Sequence, residues 1–217
     1  MSFDFQSLVI RAFVLLTAMP IHECAHGWVA NWLGDDTAEY EGRLTLNPFA
    51  HLDLMGSLMI LLAGFGWAKP VPVNPLNFRR NGISMRAGMA LTAAAGPISN
   101  LLLGLVFFIA CKVILVFTDL PIIAASVMLM VTRINIMLAV FNLLPIYPMD
   151  GGRILGYFLP DRALYVLERY QQQIQMIFMA VILFTDVLDV PLSFLQNIVL
   201  KLFDVLTSIG GILPSLM

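Results

Sequence analysis

Residues 22–26 read His22-Glu23-Cys24-Ala25-His26, the pattern H-E-x-x-H, and they continue an apolar run that begins near Leu8. On a helix, positions i and i+4 share one face, so both imidazoles can reach one metal ion while Glu23 stands beside it. A zinc hydrolase uses this arrangement to bind its ion and activate water. The chain has three histidines in 217 residues, and two of them fall in this motif. The surrounding sequence places it in an unusual medium. At 59% hydrophobic and 12% charged residues, with a mean hydropathy of +0.87, the chain lies outside the range of soluble domains.

Composition therefore predicts an all-α polytopic membrane protein, a single embedded domain over 1–217, with the motif-bearing core near 8–155 and C-terminal helices over 156–217. The net charge of −2 gives no signal for a polyanion, and no nucleic-acid partner is expected. Leu8–Leu33 reads as a retained first span rather than a cleaved leader. Cys24 lies about 200° around the helix from His22, off the metal face, and the two cysteines are expected to be small buried apolar residues.

About four spans and several interruptions follow. Gly34 to Asp53 is polar, and the alternation over Tyr40–Leu46 predicts a short strand or hairpin. Leu54–Trp67 is apolar but short, so it is expected to re-enter rather than cross. Lys69-Pro70-Val71-Pro72-Val73-Asn74-Pro75 must be extended, because proline removes donors and biases its predecessor. Ser84–Phe117 predicts a span broken at Gly96-Pro97, Pro121–Leu144 another, and Ile174–Leu188 a last one. Pro191–Ile212 reads as an amphipathic interfacial helix with Lys201 and Asp204 on its polar face, or else as a further transmembrane helix. Arg133 lies inside a span with no partner evident from sequence. Lys69, Arg79, Arg80 and Arg86 precede one span, and Arg153, Arg162 and Arg169 follow the next, so both groups are expected in the cytoplasm.

Two histidines leave a catalytic zinc short of its third ligand. His51 is one candidate, more readily read as a loop or supporting residue. Asp150 is the better one, since it follows Asn142-Leu143-Leu144-Pro145-Ile146-Tyr147-Pro148-Met149 and precedes Gly151-Gly152. Prolines end the helix there and glycines permit a tight turn, so the carboxylate can point back into the bundle. By the charge argument Asp150 lies at the cytoplasmic end of its span. The histidines must lie at that depth too, and Leu54–Trp67 must return to the side it left.

The pair H-E-x-x-H and N-x-x-P-x-x-P-x-D-G-G resembles the site-2 protease family of intramembrane zinc metalloproteases (peptidase family M50). Ala95-Gly96-Pro97-Ile98-Ser99-Asn100, Asn47-Pro48 with His51-Leu52-Asp53, and Lys69–Asn74 extend the resemblance over roughly residues 10–155. It implies one Zn2+ per chain held by His22, His26 and Asp150, with Glu23 as general base. Asn142 and Asn100 would help hold the substrate backbone or the oxyanion. It further implies multi-pass placement in the cell membrane, an active site toward the cytoplasmic side, and transmembrane proteins as substrates, with the oligomeric state left open. The 217 residues contain no PDZ or CBS module, and regulation through one is not expected. Leu54, where relatives often carry proline, and Met149 depart from the family pattern away from the chemistry. A substrate helix must unwind before attack, and the edges of Tyr40–Leu46 and Lys69–Asn74 are candidates to pair with it. A catalytically idle zinc scaffold or a metal-ion transporter are the alternatives. Glu23 argues against the first, and the scarcity of other polar groups at membrane depth against the second.

Overall fold

The computed structural model describes residues 5–63, 66–80, 82–118 and 121–208. Its helices are α1 (Phe5–Phe13), α2 (Met19–Trp32), α3 (Thr37–Tyr40), α4 (Leu54–Ala63), α5 (Met85–Phe117), α6 (Ile122–Asn142), α7 (Asp150–Phe158), α8 (Asp161–Arg169), α9 (Gln171–Phe184) and α10 (Asp189–Ser208). Among the described residues four stretches are long and apolar enough to cross a membrane: Leu8–Trp32, Met85–Phe117, Ile122–Asn142 and Asp189–Ser208. The protein is a helical, multi-pass membrane protein. Two compact units can be described, Met1–Ser99 with Arg153–Phe158, and Asn100–Gly152 with Leu159–Met217.

In the first unit α1 passes into α2 through a π-helical turn over Val14–Ala18. Pro20 accounts for it. Proline offers no N–H to the Leu16 carbonyl and its ring crowds that oxygen, so the helix widens and the Met19 N–H reaches Val14 O instead. The far end of α2 is closed by Gly34 at φ 105°. Gly34 N–H donates to Asn31 O at 2.8 Å and Asp35 N–H to Ala30 O at 3.0 Å, a Schellman cap.

A second cap of the same kind corrects an expectation. Tyr40–Leu46 is not a strand, and no strand occurs among the described residues. Tyr40 ends α3, and Gly42 at φ 66° turns the chain, with Gly42 N–H on Glu39 O and Arg43 N–H on Ala38 O at 2.9 and 2.8 Å. Alternation becomes a strand only beside a partner strand, and here these backbone groups are satisfied within their own turn.

Ten residues of α4 rise about 15 Å, half of a bilayer core. The chain then comes back: a Cβ on Gly56 would collide with the Trp67 carbonyl, and one on Gly66 with the Gly56 carbonyl. Leu54–Trp67 therefore folds back on itself, with Gly64 and Phe65 outside the described residues. Arg11, from α1, donates Nη1 to Leu61 O at 2.7 Å, which satisfies a carbonyl in the last turn of α4.

Asp35 organises the loops beyond α2. Its buried carboxylate accepts from Asn74 N–H at 2.6 Å, Asn77 Nδ2 at 2.9 Å, and both the N–H and hydroxyl of Thr37. Burial pushes this carboxyl up. Donors from the Thr37 and Asn77 side chains and the Asn74 and Thr37 backbone outweigh it and hold the group below the usual carboxylate range.

In the second unit Phe108 of α5, Ile136 and Val140 of α6, and Leu192, Leu200 and Phe203 of α10 form the core. The C-terminal expectation is corrected here. The predicted span Ile174–Leu188 is the 14-residue α9, about 21 Å long and too short to cross. The 20-residue α10 has the length to span. Asp204, expected on a solvent-facing stripe, is buried, and its Oδ1 lies 2.8 Å from Lys112 Nζ. Lys112 is fully buried and also donates to Ser208 Oγ at 2.9 Å. Of the two charges that gave α10 its amphipathic look, Lys201 is exposed and Asp204 belongs to an internal ion pair. Ile209–Ile212 of the predicted helix lies outside the described residues. Arg133 exposes its side chain on α6, and its backbone carbonyl accepts from Gln196 Nε2 at 2.7 Å.

Two measurements test these placements. Lys112→Met should lower the thermal midpoint in detergent, because it strands the Asp204 carboxylate, a loss of about 3–5 kcal/mol for a buried pair. Adding Asp204→Leu should recover much of that loss, and no recovery would remove the pair from the account. For Asp35, the folded-state carboxyl titrates below its unfolded value, so its contribution is present above the ordinary carboxylate range and fades as pH falls through the folded value. The stability gap between the intact protein and Asp35→Asn should therefore be widest near neutrality and close in acid.

Candidate metal centre

α2 carries His22, Glu23 and His26 in consecutive turns, and both histidines are buried at 8% exposure. Their rings meet edge to face, with centroids 4.6 Å apart. The position opposite them is Gly96 of α5. A Cβ there would stand 2.5 Å from His22 Nε2 and 2.5 Å from His26 Nε2. The two Nε2 atoms thus converge on one small volume, kept open by the lack of a side chain.

The tautomer follows from a neighbour. His26 Nδ1 lies 2.7 Å from the Thr92 carbonyl, which can only accept, so Nδ1 carries a hydrogen. A neutral imidazole with Nδ1–H on a carbonyl is the form a metal-binding histidine takes. Pro97 lies inside α5 and provides no N–H for Ala93 O, which loosens the helix beside Thr92. The sequence predicts a break at Gly96-Pro97; α5 instead runs on from Met85 to Phe117.

Asp150 is the first residue of α7 and is buried at 8% exposure. A carboxylate suits the positive end of a helix. The two glycines after it serve close approach rather than a left-handed turn. A Cβ on Gly151 would strike the Leu143 and Leu144 carbonyls, and one on Gly152 would come within 3.0 Å of Ile146 and Tyr147 backbone. His22 and His26 of the first unit are buried imidazole donors, and Asp150 of the second is a buried carboxylate. Two imidazoles and one carboxylate form a donor set that suits a catalytic zinc.

Glu23 is half-buried, and its Oε2 accepts from the Val71 N–H at 2.9 Å. That donor was not foreseen from sequence, although Pro70 and Pro72 mark the stretch as extended. His51 is buried, with Nε2 2.7 Å from the Thr45 carbonyl, while its own carbonyl accepts from Lys69 N–H at 2.9 Å. Asn100 is fully buried and donates Nδ2 to Asn135 Oδ1 at 3.1 Å. Asn142 is half-buried and donates Nδ2 to Leu138 O, one turn back, at 2.9 Å. Asn135 was likewise missed, as an internal asparagine with no motif around it. Cys24 and Cys111 are buried free thiols.

The chain is similar in sequence to known proteins. The family model described as peptidase family M50 matches residues 118–185. YwhC of Bacillus subtilis (strain 168), whose name designates a candidate zinc metalloprotease, is 41% identical over 151 residues, covering 67% of each chain. Zinc metalloprotease MJ0392 of Methanocaldococcus jannaschii is 25% identical over 151 residues, covering 69% of this chain and 34% of that one. The present chain thus spans about a third of that second relative. No solved structure matches.

The Gly96 cradle gives a direct test. Gly96→Ala should leave α5 helical, since alanine is the better helix former, while its methyl occupies the volume the Nε2 atoms share. Metal analysis of the purified variant should find zinc largely lost. Full retention would mean that the histidines bind elsewhere.

Proposed function

Because the chain belongs to peptidase family M50, the site-2 protease family, and is a zinc metalloprotease with Zn2+ as cofactor, we propose that it cuts peptide bonds within or beside transmembrane segments of membrane-protein substrates. In this reading His22, His26 and Asp150 hold the ion and Glu23 is the general base. The observation that carries it is the convergence of His22 Nε2 and His26 Nε2 at Gly96, with the His26 tautomer set by Thr92.

When bound, zinc supplies Lewis-acid polarisation of the scissile carbonyl and of the attacking water. Glu23 takes a proton from that water and returns it to the departing amine, which restores the carboxylate for the next turnover. Asn142 and Asn100 belong to the same proposal as amide donors for the substrate backbone or oxyanion.

The bilayer setting rests on four span-length helices and on where α2 ends. Arg79 N–H donates to Leu33 O at 2.9 Å, and the Arg80 guanidinium stacks 3.6 Å over the Trp32 ring. The cationic stretch Lys69–Arg86 thus stands at the C-terminal end of α2. With the positive-inside rule this supports a cytoplasmic-side active site and a single working domain in the cell membrane. Unwound substrate pairing along Lys69–Asn74 is part of the proposal, and proline replacements that leave cleavage unchanged there would remove it.

Zinc content and cleavage of a model transmembrane substrate, measured together in liposomes, test the assignment. Glu23→Gln should keep one zinc per chain and lose turnover by at least ~100-fold, the scale of a lost general base. Asp150→Ala should lose zinc and turnover together. A Glu23→Gln protein that cleaves normally would end the general-base reading.

A further inference from the structure

We propose that the backbone N–H of Val71 is a positioning group for the reaction: it fixes one oxygen of Glu23 and leaves the other directed to the attacking water. The inference rests on Glu23 as the general base and adds a component that no side-chain motif encodes.

The bond itself is a charge-assisted contact, Val71 N–H to Glu23 Oε2 at 2.9 Å, to a residue on the same helix as both histidines. A glutamate has three rotatable bonds, and without a partner its carboxylate would sample several rotamers. Committing Oε2 to a backbone donor removes most of that freedom and leaves Oε1 free for proton transfer.

The donor is held in turn from several sides. Lys69 N–H donates to His51 O at 2.9 Å, and Lys69 O accepts from Arg43 Nη2 at 2.6 Å. Further along, Asn74 N–H donates to the Asp35 carboxylate at 2.6 Å. Pro70 and Pro72 flank Val71, fix their own φ and bias the residue before each to extended geometry. In such a segment alternate residues face the same way, so Lys69 and Val71 both turn their polar groups toward the protein. Val71 is 8% exposed while Pro70 is exposed. Gly27 of α2 admits the strap: a Cβ there would stand 3.2 Å from Val71 Cγ1 and 2.7 Å from Leu44 Cδ2. The buried Arg43 and His51, which carry no reacting atoms, acquire a reason to be where they are. They set the height of Val71 against Glu23.

A purely structural strap predicts a different outcome from a positioning one. If Val71 N–H orients the base, its removal should lower kcat with KM and bound zinc unchanged. Val71→Pro removes the hydrogen at a position already extended. Replacing Val71 by its α-hydroxy analogue, which turns that amide into an ester, removes it with the side chain intact and decides the matter should Val71→Pro fail to fold. Both are measured on the full chain in liposomes against a model transmembrane substrate, with zinc content and Glu23→Gln alongside. The expected result is a fall in kcat of ~10- to 100-fold, the scale of a slightly misplaced catalytic group. An ester variant with the intact kcat, or one whose loss lies in KM or zinc alone, would overturn the proposal. If Glu23→Gln is inactive while the ester variant is intact, only the positioning role fails; if Glu23→Gln itself cleaves normally, the general-base reading fails with it.

Discussion

The hydrogen bond from His26 Nδ1 to the Thr92 carbonyl, 2.7 Å long and buried, is the interaction on which the centre depends. It joins the motif helix to the proline-bearing helix and places the hydrogen of that ring on Nδ1. In a low-dielectric surrounding an unpaired ring N–H and an unpaired carbonyl each carry a large desolvation cost, which favours the bond and orients the ring. Gly96, one turn beyond Thr92, then meets both Nε2 atoms at a distance that excludes any side chain. A shift of α5 along its axis would lose the bond and block the volume together.

Prolines and glycines carry much of this architecture by complementary means. Pro20 opens a π turn that ends at Ala18, about one helical turn before the motif, and Pro97 withdraws a donor from Ala93 O just past Thr92. Each disturbs the backbone beside a functional residue, where a regular helix would consume the groups that the site uses. The glycines do the opposite work of bringing backbone close. Gly96, Gly27 and the pair Gly151-Gly152 each sit where a methyl would meet a ring, a strap or a carbonyl. Gly34 and Gly42 are a separate class, used for left-handed caps.

The motif helix, the span lengths of α5 and α6, and the extended Lys69–Asn74 were legible because each rests on local rules of period, length and proline geometry. His22, His26 and Asp150 could be picked out as a candidate donor set because metal binding restricts residue types so severely. What could not be read depends on contacts between distant residues. The Tyr40–Leu46 alternation looked like a strand because nothing local says whether a partner strand exists, although Gly42 placed two residues after Tyr40 was a cap signal available in advance. Asp204 looked like a surface charge because its partner, Lys112, lies 92 residues earlier. A lysine inside an apolar run of α5 was the clue, since such a residue at membrane depth needs a counter-charge from another helix.

The backbone donor beside Glu23 could not have been found by inspecting side chains, and there is a physical reason why backbone serves there. A catalytic base in a half-buried site needs its carboxylate held but still basic. A lysine or arginine partner would hold it through a full charge and reduce its basicity, and a serine or asparagine would bring rotamer freedom of its own. A peptide N–H between two prolines carries no full charge, and its direction is set by the chain. The costs fall elsewhere, on Arg43 and His51, which are buried to anchor Lys69. In the proposed reading His22, Glu23 and His26 form one tier that serves the ion, and Arg43 and His51 a second that keeps one amide in place. The second tier explains why so apolar a chain keeps a buried arginine beside a loop with no chemistry of its own.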